Sequence, residues 1–174
     1  MLKKKRFVFP SADFKCHRID GIPVIAGMVC VSLAGLLSRF LSGSPLPVLH
    51  IIGMKQALPP TWVFFLIWLF SYLVLGFCFG AVLGSRALGK EVNKYKGSFF
   101  FTVMIVFNIV WYPLFFKAGA FFFALIDILF IILFCFLTAV QYMKVNKIFG
   151  ICMFIHMIWL LYCFILNFTA FIKT

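Results

Sequence analysis

The chain has 174 residues, of which 65% are apolar and only 11% charged, with a formal net charge of +12. A soluble domain averages about 45–50% apolar and about 25% charged residues, and a chain this short has too little interior to hide such an excess. These figures exclude a soluble globular enzyme, a disordered chain and a secreted disulfide scaffold, and they leave a lipid bilayer as the solvent.

Residues 1–20 form a basic N-terminal segment. Its start, "MLKKKRF", resembles the basic region of a cleaved signal, but Asp13, Lys15, Arg18 and Asp20 separate it from the first apolar run. The run is therefore read as a true span. The five-helix domain occupies 21–174, with spans at 21–41, 62–85, 97–116, 118–143 and 148–172. Crossing about 30 Å of hydrocarbon takes about 20 helical residues. The runs are continuous rather than alternating, so helices and not barrel strands cross the lipid. The expected fold is an all-α membrane protein, a five-transmembrane-helix bundle with short antiparallel connections and a lid-like first loop.

The basic residues divide unevenly between the two sides. The N-terminal side, called side A, holds 12 of the 16: Lys3, Lys4, Lys5, Arg6, Lys15, Arg18, Arg86, Lys90, Lys94, Lys96, Lys144 and Lys147. Side B holds Arg39, Lys55, Lys117 and Lys173. The positive-inside rule places the N-terminus in the cytoplasm of a plasma or bacterial inner membrane. The charge reads as topology and as contact with membrane lipids, not as a nucleic-acid surface. The six cysteines show no C-x-x-C spacing, so no metal site is expected and they read as packing residues.

Polar and indole groups inside spans are costly and mark function by default. Measured from side B at 1.5 Å per residue, Trp68, Tyr72, Asn108, Trp111, Asp127, Trp159, Cys163 and Asn167 fall in one half of the bundle, on four different helices. Trp68, Trp111 and Trp159 lie too deep for an interfacial aromatic belt, whereas Trp62 fits one. A pocket for a flat apolar ligand and simple interhelical packing are about equally good accounts of the set. The first loop, with Ala57, Leu58, Pro59 and Pro60 at its end, caps the same half and reads as a lid. Gly76, Gly80 and Gly84 form a small-residue ridge that serves either packing within the bundle or a homodimer seam.

The stretch "PPTWVFFLIWLFSYLVLG" resembles the P-P-x-W-x-F-x-x-x-W-x-x-x-Y-x-x-x-G segment of the TspO/MBR family, which includes the translocator protein and bacterial tryptophan-rich sensory proteins. "NIVWYPLFF" is similar to its third-helix signature, "ALIDI" to its fourth and "WLLYCFILN" to its fifth, in order from about Gly21 to Asn167. The resemblance implies a pocket under the first loop, touched by Trp68, Asn108, Trp111, Asp127, Trp159 and Asn167. It implies tetrapyrroles such as protoporphyrin or haem as ligands, sterols in some members, and no required cofactor. Ala57 stands where the family usually has a lid Trp. Ile155 and His156 replace a Pro-Tyr pair, so the fifth helix should be less kinked. Phe also replaces the Tyr of a proposed C-terminal sterol motif.

The expected function is a membrane receptor or carrier for flat hydrophobic ligands. The alternatives are light-driven oxidative breakdown of a bound porphyrin, which would make the protein an enzyme, a small transporter, and a scaffold acting through the Gly ridge. A eukaryotic member would sit in the outer mitochondrial membrane instead.

Overall fold

The computed structural model describes residues 6–7, 19–43, 61–85 and 89–174. The lid residues Ala57, Leu58, Pro59 and Pro60 lie outside the described residues, as do 1–5 and 8–18 of the basic segment. Five helices are long and apolar enough to cross a membrane: α1 (Gly21–Ser42), α2 (Thr61–Gly84), α3 (Glu91–Phe116), α4 (Phe121–Val145) and α5 (Lys147–Lys173). The protein is an all-α five-helix membrane bundle. Two short strands, β1 (Arg6–Phe7) and β2 (Ile19–Asp20), pair antiparallel beside the start of α1.

Helix ends depart from the apolar runs where polar residues stay helical. α3 begins at Glu91, six residues before the expected start at 97, because a charged first turn continues the helix into the headgroup region. α4 begins at Phe121 rather than 118, because Gly119, at φ 60°, turns the chain between α3 and α4. The α4–α5 connection is Asn146 alone, whose side-chain Oδ1 accepts from the Ile148 N–H at 2.9 Å and so caps α5. α5 runs unbroken through Ile155 and His156.

The helices form a ring. α1 packs against α2 and α3, α3 against α4, α4 against α5, and α5 closes back on α2. Lipid-facing side chains are large and apolar; Phe40, Phe70 and Phe99 are all exposed. Much of the phenylalanine content therefore solvates the bundle in lipid and does not fill its interior.

Association of helices in lipid rests on close packing and hydrogen bonds, since lipid tails are as apolar as Leu. The α1–α2 seam shows the first. A Cβ on Gly76 would lie 2.6 Å from the Gly27 carbonyl oxygen, one on Gly80 2.6 Å from Val24 Cα, and one on Gly84 2.7 Å from the Asp20 carbonyl oxygen. Gly76 and Gly80 are covered by the α1 backbone, and Gly84 by Asp20 just before it. The ridge is an internal seam, and this surface is not open to a second copy of the chain.

The α1–α3 contact shows the second. Pro113 lies inside α3 and has no N–H to give to the carbonyl of Ile109, four residues earlier. Ser38 of α1 supplies the missing donor: its Oγ donates to Ile109 O at 3.1 Å and approaches Asn108 O at 3.4 Å. Ser42 Oγ in turn donates to Ser38 O at 2.6 Å. Ser38→Ala is expected to destabilise the bundle by about 1–2 kcal/mol by orphaning a buried carbonyl. The loss should shrink in a Pro113→Ala background, where the helix regains its own donor. A double-mutant cycle on thermal unfolding in detergent checks this; equal losses in both backgrounds would contradict it.

Candidate functional site

The side-B half of the bundle is where polar and aromatic side chains converge. Asp127 lies six residues from the start of α4, and Asn167 six from the end of α5, each about 9 Å deep. Asn108 lies eight residues from the end of α3, about 12 Å deep. All three are buried.

The centre is an indole cluster built by three helices. Trp68 of α2 stacks on Trp111 of α3, with centroids 5.9 Å apart and planes 20° apart. It stacks on Tyr72 one turn along its own helix, at 5.4 Å and 29°. Trp159 of α5 meets Trp68 edge-on at 6.5 Å and 82°, as Tyr112 does at 5.8 Å and 85°. The stack continues through Trp111 to Phe115, at 5.3 Å and 12°. Offset stacks and edge contacts are the favoured geometries for rings, each adding about 0.5–1.5 kcal/mol beyond area burial. Cys163 of α5 lies within electrostatic reach of both Tyr72 and Tyr112.

Polar atoms around this cluster are left over. Tyr72 Oη, Trp111 Nε1, Asn108 Oδ1, Asp127 Oδ2 and both amide atoms of Asn167 are buried with no hydrogen-bond partner among the described residues. Asn108 Nδ2 donates to Met104 O of its own helix at 3.1 Å and not to Asp127. Lys117 sits exposed at the α3–α4 corner and is not the ion-pair partner of Asp127. Unpaired polar groups in a dry interior cost about 1–3 kcal/mol each, which makes this level a candidate site. The side-A half has buried unpartnered polar atoms as well, on Ser98, Gln141, Tyr142 and His156, but no indole cluster accompanies them.

Beside the cluster a cleft of ≈ 340 Å³, counting the open space at its mouth, runs between α1 and α2. Ser32, Gly35 and Arg39 of α1 form one wall, Trp68 and Tyr72 of α2 the other, and Tyr112 of α3 the back. Gly35 is required there: a Cβ on it would lie 2.6 Å from the Tyr72 ring.

The TspO/MBR family model matches residues 21–172, nearly the whole bundle. The chain belongs to the TspO/MBR family. It is also 28% identical over 111 residues to the tryptophan-rich protein TspO of Chlorobaculum tepidum, an alignment covering 64% of this chain and 69% of that one.

Within this family member, the structure joins some of the expected site residues and separates others. Trp68, Tyr72, Trp111 and Trp159 form one ring cluster, with Cys163 alongside. Of the expected set, only Trp68 and Tyr72 line the cleft. Asn108, Asp127 and Asn167 share the depth but do not line the cleft. Trp62 is 66% exposed to lipid and takes no part. Among the described residues no group of three or more His, Cys, Asp or Glu is placed to hold a metal ion.

Sequence reasoning missed the α1 wall and Tyr112. The signal was present: Ser32, Gly35, Arg39 and Ser42 follow helical spacing on one face of α1, and Tyr112 follows Asn108 by one turn. Neither carries an indole or a buried amide, which were the features sought.

Proposed function

We propose that this TspO/MBR membrane protein is a receptor or carrier for flat hydrophobic ligands of the tetrapyrrole class, held against the Trp68–Trp111–Trp159 cluster. The stacked indoles are the observation that carries the reading. The indoles offer a broad aromatic surface to a planar π-system, and the leftover donors and acceptors suit its polar rim. The name of the Chlorobaculum relative, a tryptophan-rich protein, accords with weight on the indoles. Titrating purified protein with protoporphyrin IX and following its absorbance tests the reading. Saturable binding at one site per chain is expected, and linear partitioning into the detergent alone would refute it.

The same reading places the N-terminus in the cytoplasm of a plasma or bacterial inner membrane. Lys90, Lys96, Lys144 and Lys147 are exposed on side A, where anionic headgroups meet them. Single cysteines introduced at Lys96 and Lys117 in a cysteine-free background report the orientation. An impermeant maleimide applied to intact cells is expected to label position 117 and spare position 96; the reverse pattern would invert the topology.

A further inference from the structure

The cleft between α1 and α2 has chemically different ends. Ser32, Gly35, Leu36 and Arg39 lie on one face of α1, and seven residues separate the first from the last, a run of about 10 Å. At the deep end are two hydroxyls, Tyr72 Oη and Ser32 Oγ, both buried and without a partner among the described residues. At the mouth is the Arg39 guanidinium, in the last turn of α1. Trp68, Tyr72 and Tyr112 supply the aromatic surface between them.

Arg39 is half-buried and only partly engaged. Its Nη1 donates to the Gly43 carbonyl just beyond the helix end. A guanidinium carries five N–H donors in a rigid fork, so most of its capacity remains for a planar anion. It lines the cleft together with Tyr112. A cation held at the edge of the hydrocarbon gains strongly from an opposite charge, because the local dielectric is low.

We infer that the α1–α2 cleft selects flat apolar ligands that bear a carboxylate, with the anionic end at Arg39 and the opposite edge at the Tyr72 and Ser32 hydroxyls. The inference rests on the flat-ligand reading above and adds an orientation and a charge requirement to it. It makes Arg39, on a helix that carries no indole, the specificity-determining residue. It also makes the α1–α2 face the side from which the ligand reaches Trp68.

The test compares protoporphyrin IX, a dicarboxylic acid, with its dimethyl ester, which has the same ring and no charge. Wild-type protein, Arg39→Gln, Arg39→Lys and Tyr72→Phe are titrated in nanodiscs of neutral phosphatidylcholine, so that lipid supplies no net anion. Wild type is expected to prefer the acid to the ester by about tenfold or more. Arg39→Gln should lose that preference by weakening acid binding alone, and Arg39→Lys should recover part of it. Tyr72→Phe should leave the preference for the acid intact, since its hydroxyl lies at the end away from the carboxylates. If Arg39→Gln weakens acid and ester equally, Arg39 serves only to hold the end of α1 through Gly43 and the inference fails. If wild type binds the two forms equally, it fails as well, with the flat-ligand reading intact. If wild type binds neither, that reading falls and takes the inference with it.

Discussion

Replacing Trp68 by Ala is expected to weaken protoporphyrin binding by one to two orders of magnitude. Trp68 is the hub of the cluster: it contacts Trp111, Tyr72, Tyr112 and Trp159, and it lines the cleft. Its removal takes away the stacking face and lets Trp111 and Trp159 relax into the vacated volume. Part of the effect will be structural, because removing a buried indole costs about 3–5 kcal/mol of stability. Trp68→Phe separates the two contributions. It keeps a flat ring and most of the volume, so it should retain binding to within about tenfold while Trp68→Ala does not. Changes in porphyrin absorbance, rather than tryptophan quenching, provide the readout, since the substitution removes a fluorophore. Wild-type affinity in Trp68→Ala would remove the cluster from the site.

Gly80→Val is expected to have the largest effect on stability. The new side chain would be driven into Val24 Cα and the Pro23 carbonyl, both backbone atoms that cannot yield by changing rotamer. α1 would have to move away from α2 as a whole. Overpacking costs about 1–3 kcal/mol where side chains can adjust, and more where they cannot. A fall of about 5–10 °C in unfolding midpoint is expected for a chain of this size. Phe70→Leu, on the lipid face and 68% exposed, should leave the midpoint unchanged. Because the cleft lies along the same seam, Gly80→Val should also impair ligand binding in whatever fraction folds. An unchanged midpoint would mean that α1 is not seated on the ridge.

The contrast between these two positions shows what the sequence could and could not reveal. The five spans were readable because lipid tolerates few charges, so charge-free runs outline them directly. The ends were less readable: Glu91–Lys96 is helical yet polar, and nothing in its hydropathy distinguishes it from a loop. The depth of the site was readable too, since 1.5 Å per residue puts Asp127, Asn108 and Asn167 at one level without knowledge of packing. Direction around each helix was not. Depth arithmetic grouped Asn108, Asp127 and Asn167 with the indoles, whereas none of the three lines the open space, which α1, Trp68, Tyr72 and Tyr112 enclose. The Gly76, Gly80, Gly84 ridge was equally ambiguous, because small residues on a single helix do not name the neighbour they admit. The Ser38 contact was hidden for another reason. It answers a carbonyl orphaned by Pro113, which is 75 residues away in sequence and adjacent only once α1 and α3 have packed.

The most direct measurement uses the four tryptophans of the chain as reporters. Protein labelled with 15N only at tryptophan gives four indole N–H signals, and a bound porphyrin shifts nearby nuclei strongly through its ring current. On addition of protoporphyrin IX, the signals of Trp68, Trp111 and Trp159 are expected to move in a saturable way, while that of lipid-facing Trp62 stays in place. Movement of Trp62 alone, or of no indole at all, would contradict the assignment of the buried cluster as the ligand site.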